Sequence, residues 1–96
     1  MSYRLSERAD RDLDQILYQG LIRFGESQAL AYYDALIGFL GVLATMPEAY
    51  RNRMEFKHPI RVAPFRQHVV IYDLDDEQIT ILTIRHGSEN WQADYG

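Results

Sequence analysis

A chain of 96 residues, 47% hydrophobic and 25% charged, has the composition of a small globular domain, and residues 1–96 read as a single unit. It contains no cysteine, which excludes a disulfide framework and a thiolate metal site. Acids outnumber bases 14 to 10 and the formal charge is −4, a balance that disfavours a protein built to hold nucleic-acid phosphates.

The segment Met1 to Glu7 has no apolar leader core, and no apolar run approaches the ~20 residues that span a bilayer. A soluble cytoplasmic protein is therefore expected. Tyr3–Leu5 reads as a short first strand, ended by Ser6, whose hydroxyl is suited to cap a helix. The first helix carries Ala9, Leu13, Ile16, Leu17, Gly20 and Phe24 as one apolar stripe at spacings of three and four. Arg8, Asp10, Arg11, Asp12 and Asp14 read as its solvated face, with Arg8 able to reach Asp12 one turn on. Gly25 fits a helix stop and Ser27 a new cap, which predicts an antiparallel helical hairpin.

The second helix is expected from about Ser27 to Met46, ending before Pro47. Leu30, Tyr33, Leu36, Ile37, Leu40, Leu43 and Ala44 lie on one side of it, and Tyr32, Phe39, Val42 and Met46 on much of the other. A helix apolar nearly all round is expected to be covered on both sides. Gly38 and Gly41 weaken it, so close backbone packing is their expected reason.

Residues 47–59 form a charged connector containing Arg51, Arg53, Glu55, Lys57 and His58. A strand follows over Ile60–Ala63, broken by Pro64, then His68–Tyr72, an acidic turn over 73–77, and a return strand over Ile79–His86. Both faces of the last two strands are apolar. One is expected to pack on the helices, and the other on the C-terminal tail or a partner chain. The architecture expected is α+β, a helical hairpin on a mostly antiparallel sheet of three or four strands in the order β-α-α-β-β-β. His58, His68 and His86 lack paired-ligand spacing, and neither a metal nor another cofactor is expected.

Several segments together resemble the ParE branch of the RelE/ParE toxin superfamily. They are Tyr3-Arg4-Leu5-Ser6 leading into Ala9 and Asp12-Leu13, the Phe24-Gly25 break, and Leu43-Ala44-Thr45-Met46-Pro47. The hairpin segment from Ile60-Arg61 to His68-Val69-Val70-Ile71-Tyr72 and the closing Ile84-Arg85-His86-Gly87 complete the match. A departure is Glu89-Asn90-Trp91, where members often carry an arginine-aspartate-tryptophan type ending.

The resemblance implies a toxin that inhibits DNA gyrase by protein–protein binding and is neutralised by a ParD-like antitoxin. It implies neither enzymatic activity nor sequence-specific nucleic-acid binding. Tyr32, Phe39, Arg51 and Arg53 become candidate antitoxin contacts, with Tyr32 and Phe39 otherwise core residues. Arg61, Arg66, Arg85, His86 and Trp91 become candidate target contacts; Trp91 equally suits a lid on the sheet. The sharpest alternative is a RelE-like ribosome-dependent mRNA endonuclease using Glu55, Arg61, Arg66, Arg85 and His86. That reading is weakened by a single lysine, Lys57, because RNA must be held before it is cut. A third reading is an antitoxin-binding module without toxicity.

Overall fold

Ser6 starts the helical hairpin as its residue type predicts: its Oγ accepts the amide of Ala9 at 2.9 Å and donates to the Leu82 carbonyl at 2.7 Å. One hydroxyl thus caps the helix and ties its start to the sheet. The computed structural model describes residues 2–95 and places β1 at Ser2–Leu5, α1 at Glu7–Phe24 and α2 at Glu26–Thr45. β2 spans Arg61–Phe65, β3 His68–Leu74 and β4 Gln78–His86, and a short 3-10 turn closes the chain at Trp91–Asp94. The expected β-α-α-β-β-β order holds.

The strands form one sheet in the order β1-β4-β3-β2, with β1 parallel to β4 and the other pairs antiparallel. Ala9 and Leu13 of α1, and Leu36, Leu40 and Leu43 of α2, pack with Val70, Tyr72, Ile79, Ile81 and Ile84 into the main core. Ile79, Ile81 and Ile84 share that core although strict alternation would split them. Tyr72 pairs with Ile81 and Ile71 with Thr83, leaving Leu82 unpaired as a β-bulge that resets the phase. Tyr72 is fully buried, and its hydroxyl donates to the Pro47 carbonyl at 2.7 Å, fixing the connector beneath the core.

Three local expectations need correction. Gly25, at φ +86°, ends α1 and also begins α2, so Ser27 lies inside the first turn and caps nothing. The close helix approach is at Gly20, where a Cβ would stand 3.1 Å from the Cβ of Ala29. Gly38 and Gly41 have open space around them, because they lie on the exposed side of α2. Pro64 does not break β2; an edge strand has one unpaired side and tolerates a residue without an N–H.

The second helix is covered less completely than expected: Leu30, Val42 and Met46 remain exposed. By length and composition α2 is long and apolar enough to cross a bilayer, although polar residues interrupt its apolar run in the sequence. In this fold its Leu36 and Leu40 are wholly enclosed between α1 and the sheet.

The opposite sheet face is covered from within the chain. Ile60, Val62 and Ile71 bury Trp91, with Phe56, Leu82 and Tyr95 packed around them. The tail is the cover, one of the two expected solutions.

Candidate functional site

A groove of about 370 Å³ runs between the second half of α1, the start of α2 and the neighbouring ends of β3 and β4. Its floor includes Ile16, Gly20 and Ala29, and its polar wall carries Tyr32, His68, Arg85 and His86. Antiparallel register puts His68, first in β3, opposite His86, last in β4. Their rings meet edge to face at 5.4 Å between centroids. The Tyr32 hydroxyl, from the second turn of α2, shares a 2.6 Å hydrogen bond with His68 Nδ1. The Ser88 amide donates to His86 Nδ1 at 3.2 Å, and the Ser88 hydroxyl shares a 2.7 Å hydrogen bond with the same nitrogen.

Burial holds the His68 imidazole below its ordinary pKa, helped by the facing His86 and opposed by Glu89. Burial likewise pushes the Tyr32 phenol up, against the Gln67 backbone and the Arg66 guanidinium. The histidine shift has a stability consequence. As pH falls below about 6.5, the unfolded chain takes up a proton at residue 68 before the folded chain does, so this stability contribution is lost. The melting temperature of the wild type should therefore fall more steeply between pH 7.5 and 5 than that of His68→Gln. Parallel curves for the two proteins would refute it.

The charges lining the groove are largely spent within the chain. Arg85 pairs with Glu89 at 2.7 Å and with Asp94 at 2.5 Å, and both acids are held below their usual range by it. Arg8 pairs with Asp12 at 3.2 Å. Asp12 is the residue that sequence reasoning misplaced: it accepts from Thr83 Oγ1 at 2.5 Å and from the Ile84 amide at 3.0 Å, joining α1 to β4. Its position three residues after Ala9 and four before Ile16 puts it beside the buried stripe, which was the available sign. Arg23 lines the groove without an acid within 4.0 Å among the described residues.

The other candidates are dispersed. Phe39 is half-buried and stacks on Phe65 at 5.0 Å, while Tyr32 meets the same ring edge-on at 5.7 Å. Both rings thus belong largely to the contact between α2 and the end of β2. Arg51 and Arg53 lie on the connector beside Glu55, at 3.2 and 4.0 Å, an acid of this same chain. Arg61 donates to the Tyr50 carbonyl at 2.6 Å and pins the connector. Arg66 is exposed in the β2–β3 turn, and its guanidinium stands over the rings of Tyr32 and Phe65. Trp91 is 4% exposed, its ring 5.8 Å from that of Phe56, so it acts on its surroundings by packing. His58 stays on the exposed connector, and the three histidines do not form a common cluster among the described residues.

A family model described as the ParE toxin of the type II toxin–antitoxin system parDE matches residues 3–91. A solved structure titled as the chromosomal ParDE toxin–antitoxin system from P. aeruginosa superposes with a TM-score of 0.76 at 19% identity, covering 90% of this chain and 95% of that one. At that identity the likeness speaks for the fold. No curated protein sequence matches the chain.

Proposed function

Because the chain belongs to the ParE toxin family of type II toxin–antitoxin systems, we propose that it arrests growth by binding DNA gyrase in the cytoplasm, and that a ParD-like antitoxin neutralises it. The family match, running from the first strand to Trp91, is the observation that carries this reading. Charge supports it: a −4 chain with one lysine is poorly made to grip a nucleic acid, whereas a protein target requires no phosphate cradle. Exposed apolar surface supports it as well. Tyr18, Leu21 and Ile22 stand exposed on α1, Leu30 and Val42 on α2, and Met46 just beyond its end. A second polypeptide would cover such residues with profit to both chains.

Induced expression without antitoxin should halt growth and raise a DNA-damage response, and the purified chain should block gyrase supercoiling. Arrest with cleaved mRNA and unimpaired gyrase would instead establish the nuclease reading. One observation favours that second reading: a phenol and two imidazoles meet in a groove, as general acid–base chemistry requires. Against it stands the pairing of Arg8 and Arg85 with acids, which leaves Arg23 as the one groove arginine among the described residues with no acid partner to hold RNA there.

A further inference from the structure

Arg66 has a backbone φ of +53° and is the one non-glycine residue in the left-handed region among the described residues. Glycine or asparagine suits such a turn position better, so an arginine there is held against local preference. Its guanidinium carbon lies 5.0 Å from the Phe65 ring centre and 5.7 Å from that of Tyr32. Neither ring is loose: Tyr32 is bonded to His68 at 2.6 Å, and Phe65 packs on Phe39 at 5.0 Å. The arginine is exposed and makes no ion pair among the described residues; Arg23 is unpaired as well, but Arg66 is the arginine that stands over two aromatic rings. The two rings give the guanidinium aromatic support while its exposed N–H donors stay open to a ligand.

We propose that Arg66 is a pre-oriented anchor for a carboxylate on the protein target, made by the β2–β3 turn and its two aromatic supports. The proposal rests on the reading that this protein acts by binding a polypeptide. A planar fork held in place suits two parallel bonds to a carboxylate and loses little freedom on binding. A phosphate polymer would call for several such cations together, and the acidic surplus of this chain does not supply them.

The test compares the full-length wild type with Arg66→Gly and Arg66→Lys. Glycine relieves the backbone and removes the cation, so its melting temperature should be unchanged or higher while gyrase inhibition and growth arrest fall at least about tenfold, as loss of one charge-assisted contact implies. Lysine keeps a charge without the fork and should recover only part of the loss. Full potency of either variant overturns the anchor. So does a Gly variant that melts more than about 5 °C lower, since Arg66 would then be a structural staple. A wild type that arrests growth without touching gyrase removes the gyrase target alone, and the anchor is then judged on arrest. A wild type with neither activity removes both.

Discussion

Replacing Trp91 with alanine should destabilise the fold by about 3–5 kcal/mol, the usual loss for truncating a buried indole. At roughly 4 °C or more per kcal/mol in a domain of this size, the melting midpoint should drop by at least about 12 °C. The ring is 4% exposed and closes the second cluster over Ile60, Val62 and Ile71. What else holds the tail is weaker. The Asp94 carboxylate paired with Arg85 is half exposed, so its pairing contributes little once solvent screens it. The Lys57 amide adds one backbone bond to the Tyr95 carbonyl at 3.0 Å. Loss of the ring would therefore free the tail and bare the far face of β2 and β3. Circular dichroism during heating reads the effect, and Trp91→Phe should retain more than half of the lost stability. An alanine variant that melts like the wild type but no longer binds its target would make the indole a contact residue.

What the sequence disclosed was local, and what it hid was long-range. Ser6 and Gly25 declare the helix boundaries because capping and a left-handed turn each depend on a few neighbouring atoms. The run Ile79 to Ile84 reads as a strand, yet no period-two pattern can show that Leu82 has no partner; the bulge arises only when β3 is laid beside β4. Pro64 looks like a breaker until β2 is known to be an edge, a fact about the whole sheet. Gly20, not Gly38 or Gly41, meets another helix, and that depends on which face α1 presents to Ala29. The groove was half legible. Arg85 and His86 were singled out through the family resemblance of the segment Ile84-Arg85-His86-Gly87. The bond of Tyr32 to His68 crosses 36 positions and the left-handed Arg66 breaks a local rule, so neither could be read from spacing.

Asp12→Ala should be the costliest change of a charged residue, at about 2–4 kcal/mol, because it strands two part-buried donors of β4 at once. Thr83 is 1% exposed and the Ile84 amide lies in β4, and both donate to one carboxylate oxygen from α1. Arg8 contributes less to the total, since its side chain is 51% exposed and an exposed pair is worth little. Three variants separate these parts. Asp12→Asn keeps one acceptor oxygen and should lose roughly half as much. Thr83→Val removes a donor along with its need, so the double variant Asp12→Ala, Thr83→Val should be more stable than the sum of the single losses predicts, with a coupling of at least about 1 kcal/mol. Additive losses, or an Asp12→Ala variant within about 0.5 kcal/mol of the wild type, would return the carboxylate to the solvated face that the sequence suggested. The consequence extends to the groove. Asp12 fixes α1 against β4 beside Arg85 and His86, so its loss should also loosen the groove wall under conditions where the variant remains folded.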